Sequence, residues 1–234
     1  MKILWVTNVP LPEASKLFNL SKSISGGWLV GLSGQLKKCK DVELSVLFPI
    51  NRKYNNKSFV GNDISYYTFP SFKNKTLKED EGVEVFLDIL EKIKPDIVHI
   101  FGTELPHSLA VVNACRLKKI QTVVSIQGLV SIIKKHIFSS LPFNVVYGKT
   151  IRNIILGDSV NGLRKLYSKL GENEIQVISK ADFIIGRTNW DKACATQINP
   201  KIKYFTCNET LRDEFYEHTW NIEKCEKNSI FMSQ

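Results

Sequence analysis

The sequence predicts a doubly wound α/β fold built on a parallel sheet of about seven strands, and the alternation of two kinds of segment supports this prediction. Short apolar runs with the length of buried strands alternate with longer amphipathic stretches of helical period along the 234 residues. Such alternation is typical of parallel βαβ units that place helices on both faces of one sheet. Ligands of these sheets bind beyond the carboxyl ends of the strands, so the residues that follow each strand are the first candidates for a site.

The first half of the chain contains four predicted strands and two predicted helices. Residues 2–7 form a short apolar run, and residues 42–48 are rich in Val and Leu. Helical spacing is clearest in residues 79–94, where apolar side chains recur on one face until Pro95 ends the helix. The predicted elements are strands at 2–7, 42–48, 64–69 and 96–101, helices at 27–38 and 79–94, and polar loops at 8–25 and 50–62.

The second half of the chain continues the alternation with three further strands. The long stretch 128–180 has mostly helical spacing, with interruptions near Pro142 and Gly157. Residues 229–233 resemble one more strand that is just beginning. The other predicted elements are strands at 121–126, 182–186 and 202–206, and helices at 105–118 and 189–197.

Composition narrows the classes of function. The formal net charge is +9, from 32 basic and 23 acidic residues, and residues 131–170 hold seven basic residues against one acid. The positive field of this stretch would attract phosphate-rich partners. In the alternative interpretation, the stretch is only a basic surface exposed to solvent. Aromatic residues do not interleave with the basic stretch and no DNA-binding module is visible, so we expect no nucleic-acid partner. The five cysteines are scattered and lack metal-ligand spacing, which favours reduced thiols and a cytoplasmic protein without a metal.

Two glycines follow the first predicted strand and begin the first predicted helix. Gly26 and Gly27 allow close approach of a ligand to the backbone, and the amides of a helix N-terminus suit a phosphate, although a flexible loop explains them equally well. The second strand ends at Pro49 without an acidic residue. A nicotinamide-dinucleotide site needs an acid there for the ribose, so the sequence argues against a dehydrogenase.

The fourth predicted strand is followed by two ionisable side chains. Glu104 and His107 lie three residues apart near a predicted helix start, where they would orient a sugar or assist proton transfer. In the alternative interpretation, Glu104 interacts with the positive end of the helix and His107 is merely exposed. His99, within the strand, alternates with buried neighbours and is interpreted as a core histidine.

The last three strands also end in polar residues. Gln127 and Gly128 follow the fifth strand, and a glutamine at that position can hydrogen-bond a polar ligand through both amide atoms. Arg187 follows the sixth strand as a candidate anion contact, and Glu209 follows the seventh as a contact to ligand or to another side chain. The pairs Thr188 with Asp191 and Thr210 with Asp213 fit helix capping boxes.

The order of several motifs resembles the N-terminal domain of family 4 glycosyltransferases, which have the GT-B fold with a Rossmann-like first domain. The resemblance spans essentially the whole chain and is closest to bacterial enzymes of polysaccharide biosynthesis. Individual motifs are moderately specific, and their order and spacing carry the resemblance. The residues concerned are 1–7, Gly26 with Gly27, 94–99, 178–182 and 187–191.

The resemblance implies retaining transfer of a sugar from a nucleotide-sugar donor to a glycan or lipid-linked acceptor, without an essential metal or other cofactor. Residues 1–228 would form the acceptor-binding domain, and 229–234 would begin a missing donor-binding domain, so we expect this chain alone to be inactive. Many family members have a histidine where this chain has Gln127, which weakens any acid–base role there. The implied contacts are Gly26 and Gly27 to the donor, and Glu104, His107, Gln127, Gly128, Arg187 and Glu209 to the acceptor.

The resemblance also implies peripheral contact with the inner face of the cytoplasmic membrane. Ile132, Ile133, Ile137 and Phe138 beside basic residues would provide an apolar and basic surface. Two alternatives stay open: a non-catalytic subunit that recruits a separate catalytic half, and a nucleotide-sugar epimerase of the same fold. The basic residues assigned to the anionic surface are Lys134, Lys135, Lys149 and Arg152.

Overall fold

One mixed sheet forms the centre of the structure, a computed structural model, and confirms the predicted α/β fold class. The structure describes residues 1–20, 26–51, 57–76, 81–148, 150–151, 153, 159–211, 213–219 and 221–230. Across these ranges the sheet has eight strands in the order β3-β4-β2-β1-β5-β6-β7-β8. The strands are β1 (Lys2–Val6), β2 (Glu43–Ile50), β3 (Ser58–Val60), β4 (Ile64–Pro70), β5 (Ile97–Phe101), β6 (Gln121–Ser125), β7 (Phe183–Gly186) and β8 (Lys203–Thr206).

Helices connect the strands, and most lie close to the predicted bounds. The predicted helix at 79–94 begins at Val83, and its buried residues have the predicted helical spacing. The described helices are α1 (Pro12–Leu17), α2 (Gly27–Lys37), α3 (Val83–Ile93), α4 (Pro106–Lys118), α5 (Val130–His136), α6 (Phe143–Tyr147), α7 (Val160–Lys180), α8 (Asn189–Ile198) and α9 (Glu214–Glu217). A 3-10 turn follows at Ile222–Lys224.

Two of these elements lie in stretches that the sequence predicts as loops. Strand β3 pairs antiparallel with β4 at the edge of the sheet, whereas the other neighbouring strands are all parallel. All three of its side chains are exposed, so it shows no alternation of buried and exposed positions that a pattern search could detect. Helix α1 is six residues long and begins at Pro12, too short for a helical period to stand out.

The two faces of the sheet carry separate cores. On one face, buried residues of α3, α4, α7 and α8 pack against the sheet around Ile100 and Val124. On the other face, α1 and α2 pack against β1, β2 and β4 around Trp5 and Phe48. Helices α1 and α2 cover only half of this face, because both lie between β1 and β2 in the chain and pack on that side of the sheet.

Strands β5 to β8 therefore present an open sheet face on the side where α1 and α2 lie. We define this face by apolar residues that the register places on the same side of the sheet: Ile97, Val123, Phe183, Ile185 and Phe205. Phe205 is 54% exposed and the other four are half-buried. Parallel sheets are normally covered on both faces, so this surface is unusual for the fold.

The stretch 128–180 consists of two short helices packed against one long one. Helix α7 has 21 residues, and Ser159 caps it by accepting a hydrogen bond from the Gly162 amide at 3.1 Å. Gly171 lets α7 approach α5 closely, because a Cβ atom there would lie 2.9 Å from the Ser131 Cα atom. Among the described helices, none is long and apolar enough to cross a membrane.

Candidate functional site at the carboxyl ends of the strands

Three predicted site residues meet where β6, β7 and β8 end. An Arg187 Nη1 hydrogen donates to Glu209 Oε1 at 2.8 Å, and Arg187 Nη2 donates to the backbone carbonyl of Gln127 at 3.1 Å. The three residues follow three adjacent parallel strands, so the sheet order itself brings them together. We call them the mouth cluster.

The mouth cluster opens onto a cavity of about 280 Å³ that runs along the open sheet face. Strands β1, β5, β6 and β7 form its floor, and α2 forms one wall with Trp28, Leu32 and Leu36. Residues 207–210 cross from β8 towards α2, and the Thr210 hydroxyl donates to the Trp28 carbonyl at 3.1 Å. The cavity is therefore apolar along its length and polar at one end.

The charges of the mouth cluster balance each other. The Arg187 and Glu209 side chains are 39% and 38% exposed, so their attraction is screened and contributes roughly 0–1 kcal/mol to stability. A half-exposed pair of this kind keeps hydrogen-bonding atoms available to a ligand. Hydroxyl groups, which both donate and accept, suit such a pair better than a second anion does.

His99 lies in the cavity floor as a neutral, internally satisfied side chain. Its Nε2 atom is 2.7 Å from the Ser125 hydroxyl, and its ring centroid is 4.1 Å from that of Phe101. Burial lowers the pKa of His99 to about 3, because the charged imidazolium would lose its hydration. The interpretation of His99 as a core histidine agrees with these contacts.

The glycines predicted to contact the donor begin α2. Gly26 is the N-cap residue with φ of 85°, a left-handed conformation that favours glycine. A Cβ atom there would also lie 3.1 Å from the Val9 side chain. Because Gly26 has no side chain to cap the helix, the first amides of α2 are not satisfied by their own N-cap. The donor contact of Gly26 and Gly27 stays a prediction.

Among the described residues, the remaining acceptor candidates make no hydrogen bond to the mouth cluster, although Gly128 directly follows Gln127. Glu104 is half-buried, its Oε2 atom has no hydrogen-bond partner among the described residues, and burial raises its pKa. His107 is 6% exposed, its ring is 5.2 Å from that of Phe69, and burial lowers its pKa to about 4. Gly128 lies between β6 and α5 beside Ile133. Roles for these three residues in acceptor binding stay predictions.

Sequence reasoning missed a buried carboxylate that organises this region. Glu174 in α7 accepts hydrogen bonds from the amides of Val130 and Ser131 at 2.8 and 3.0 Å and from the Ser131 hydroxyl. The Thr103 hydroxyl, after β5, also donates to it at 3.4 Å. Burial raises the pKa of Glu174, while the hydrogen bonds from Ser131 and Val130 act in the opposite direction. Glu174 thereby joins the loop after β5 to the start of α5.

The helical spacing of Glu174 could have revealed that it is buried. Glu174 lies three residues before Val177 and three after Gly171, on the face of α7 that packs against the core. A carboxylate on an otherwise apolar helix face needs hydrogen-bond donors when it is buried. The partners come from segments more than 40 residues away, so their identity was not predictable from the local pattern.

The two predicted capping boxes had different outcomes. Thr188 and Asp191 form the complete box at the start of α8, as predicted. The predicted box of Thr210 with Asp213 is wrong, because α9 has no side-chain capping bond. Thr210 instead donates to the Trp28 carbonyl, a tertiary contact 182 residues away that competes with local capping.

The basic and apolar residues assigned to a membrane surface are only partly described. Lys149 and Arg152 lie outside the described residues, and Lys135 is exposed. Ile132 packs against the core, whereas Ile133 is 39% exposed, and the predicted membrane contact of this surface stays a prediction. The most exposed apolar side chains near this region lie further along, at Phe143 with 78% exposure and Ile151 with 79%.

Comparison with known proteins returns structural similarity only. No protein-family model matches the sequence, and no curated protein matches it. A UDP-N-acetylglucosamine 2-epimerase is similar over 89% of this chain, with a TM-score of 0.48 and 14% identity. The epimerase from Methanocaldococcus jannaschii has a TM-score of 0.45 and 12% identity over 89%. An Escherichia coli structure described as trehalose-6-phosphate bound with UDP-2-fluoro glucose has a TM-score of 0.44 and 15% identity over 85% of this chain. The chain spans 48%, 46% and 42% of these structures, respectively.

Proposed function

We propose that this chain is the acceptor-binding half of a retaining glycosyltransferase that uses a nucleotide-sugar donor. The observation that carries the proposal is the mouth cluster at the carboxyl edge of the sheet. Arg187 and Glu209 offer a guanidinium and a carboxylate, and the guanidinium also holds the backbone carbonyl of Gln127. Sugar hydroxyls both donate and accept hydrogen bonds, and a charge-balanced set of donors and acceptors binds them without selecting an anion.

In this proposal the donor lies on the opposite side of the mouth cluster from the cavity. The N-terminus of α2, where Gly26 leaves the first amides without a side-chain cap, would face the donor phosphates. These amides would stabilise the charge that develops on the leaving nucleotide. Residues 229–234 would begin the domain that holds the donor, although 231–234 lie outside the described residues.

Binding of neutral glycans tests the acceptor site directly. An oligosaccharide array first identifies a neutral glycan that the chain binds. We expect Arg187→Ala to weaken binding of that glycan by roughly tenfold, because a hydrogen bond to a charged group contributes about 1.5 kcal/mol. Arg116→Ala is the matched control, since Arg116 is an exposed arginine of α4 that donates to the Lys180 carbonyl. Equal affinities for the two variants, measured by calorimetry, would count against the proposed site.

A sugar-transfer assay separates the proposal from an autonomous enzyme. The 234-residue chain, incubated with nucleotide sugars and the bound glycan, should give no product above background. The comparison is the same chain fused to the donor-binding domain of a GT-B glycosyltransferase. If the 234-residue chain alone transfers sugar as fast as that fusion, the assignment of this chain as an acceptor-binding half is wrong.

We also propose that the surface around α6 contacts an anionic membrane on its cytoplasmic side. Exposed apolar and basic groups are continuous there. The Arg164 guanidinium lies 5.0 Å from the Phe138 ring, which is 6.1 Å from Tyr147, and Tyr147 is 4.6 Å from Phe143. Phe143 and Tyr147 are 78% and 53% exposed. Such a surface suits reversible insertion at an anionic interface.

Vesicle sedimentation tests this contact. Phe143→Ser should lower binding to vesicles of phosphatidylglycerol and phosphatidylcholine by roughly tenfold, because burying a phenylalanine contributes about 1.5–3 kcal/mol. Phe215→Ser is the control, since Phe215 is 63% exposed on the separate helix α9. Binding should also weaken with added salt. Vesicle binding that Phe143→Ser leaves unchanged would contradict a membrane contact at α6.

A further inference from the structure

We infer that the cavity along the open sheet face holds the hydrocarbon tail of an amphiphilic acceptor whose neutral, hydroxyl-rich head lies at the mouth cluster. This inference rests on the proposed function and deepens it, because it names the chemical class of the acceptor. It follows from the distribution of apolar and polar groups along the cavity and from the cavity's shape.

The first argument is the lining. Ile3, Ile97, Val123 and Ile185 face the cavity from adjacent strands, and Trp28 faces it from α2. His99 and Ser125, the polar pair in the floor, are 2.7 Å apart and satisfy each other. A ligand that lies over this floor therefore gains mainly from removing apolar surface from water.

The second argument is the shape. The lining extends along β5 from Ile97 to Phe101, which corresponds to about 13 Å at the rise of a strand. A volume of about 280 Å³ spread over that length describes a narrow groove, just below the volumes of pockets for compact drug-sized ligands. A single extended hydrocarbon chain matches such a groove better than a globular ligand does.

The third argument is the polarity of the two ends. Met1, Ile97 and Leu36 line the end of the cavity near the amino ends of the strands. The opposite end carries Asn208 and the mouth cluster, whose arginine and carboxylate are already paired at 2.8 Å. Because that pair leaves no net charge, the geometry favours a neutral polyhydroxyl head over a phosphate.

Alkyl β-glucosides, used below their micelle concentrations, test the inference without requiring catalysis. Calorimetric titration of the 234-residue chain should show binding that strengthens about fourfold for each methylene from hexyl to octyl glucoside. Glucose itself should bind far more weakly than either. Affinity that does not depend on chain length would overturn the inference, as would decyl phosphate binding more tightly than decyl glucoside.

Variants locate the binding to the cavity. Ile185→Ser replaces a half-buried floor residue and should weaken octyl glucoside binding about tenfold, while circular dichroism checks that the variant keeps the fold. Val123→Phe fills the groove from an adjacent strand and should also weaken octyl glucoside binding about tenfold. Leu117→Ser changes a side chain of α4 that is 68% exposed and has no part in the cavity, so it should leave the affinity unchanged. An equal loss with Leu117→Ser would indicate general detergent adsorption and refute the cavity as the site.

Other occupants of the open sheet face give different results. If a second copy of this chain covers it, sedimentation will show a dimer that Ile185→Ser dissociates, and alkyl glucosides will not bind; that result overturns the inference. The experiments also distinguish a failure of the hydrocarbon-tail inference from a failure of the proposed acceptor-binding function. Glycan binding that depends on Arg187 but shows no effect of alkyl chains would retain the acceptor site and reject the hydrocarbon tail.

Discussion

Glu174→Ala is expected to lower the free energy of unfolding by roughly 3 kcal/mol, because it leaves several buried donors without an acceptor. The donors are the Val130 and Ser131 amides and the Ser131 and Thr103 hydroxyls. For a chain of this size, such a change corresponds to a fall in melting temperature of roughly 6–12 °C. Denaturant unfolding followed by circular dichroism measures it.

Two further variants identify the cause of that loss. Glu172→Ala changes an exposed glutamate of the same helix and should alter stability by less than about 0.5 kcal/mol. Glu174→Gln keeps one acceptor oxygen and most of the volume, so its effect should lie between those of the two alanine variants. If Glu172→Ala and Glu174→Ala are equally stable, the hydrogen bonds to α5 and the loop after β5 do not stabilise the fold.

Glu174 also explains why the loops at the carboxyl edge keep their positions. Burial raises its pKa, so the charge itself is unfavourable there and the stabilisation comes from its hydrogen bonds. These bonds link the loop after β5 to the first turn of α5, which follows Gln127 by a few residues. The carboxylate therefore holds in place the start of the helix that follows Gln127.

The parts of the fold that the sequence predicts correctly are those that local patterns determine. The buried residues of α3 are Val83, Phe86, Leu90 and Ile93, and their helical spacing was visible because a helix on a sheet buries one stripe. Strand β3 was not visible, because an exposed edge strand buries neither face. Pairing with β4 creates it, and pairing depends on residues elsewhere in the chain.

Some features of the candidate site were predictable from local patterns in the sequence, and others were not. Gln127, Arg187 and Glu209 could be selected because each follows a strand, and parallel strands deliver their ends to one edge. The open sheet face could not be predicted, because its side chains, among them Ile97, Val123 and Ile185, are apolar and give the continuous apolar runs of strands that are covered on both faces. His107 was expected to be exposed in the alternative interpretation, yet it packs against Phe69, because α4 is buried along almost its whole length.

Gly31→Ala and Gly34→Ala are expected to change stability in opposite directions, although both replace a glycine within α2. Alanine favours a helix over glycine by about 1 kcal/mol, and this gain applies to both positions. At Gly34 a Cβ atom has no neighbour within 4 Å among the described residues, so the full gain should appear as increased stability. At Gly31 the same atom would lie 2.5 Å from the Leu211 carbonyl oxygen and 3.0 Å from the Thr210 hydroxyl oxygen.

The contact at Gly31 joins the segment after β8 to the wall of the cavity. Overpacking against a backbone atom costs about 1–3 kcal/mol, which outweighs the gain in helix propensity or forces residues 207–211 away from α2. In the second case the Thr210 bond to Trp28 breaks, and the Glu209 side of the mouth cluster moves with it. Hydrogen exchange of the amides at 207–211 distinguishes the two outcomes, because displacement raises their exchange while a global loss of stability lowers protection throughout. Equal stability of the two variants, with unchanged exchange at 207–211, would show that this segment does not pack on α2 and does not line the cavity as described.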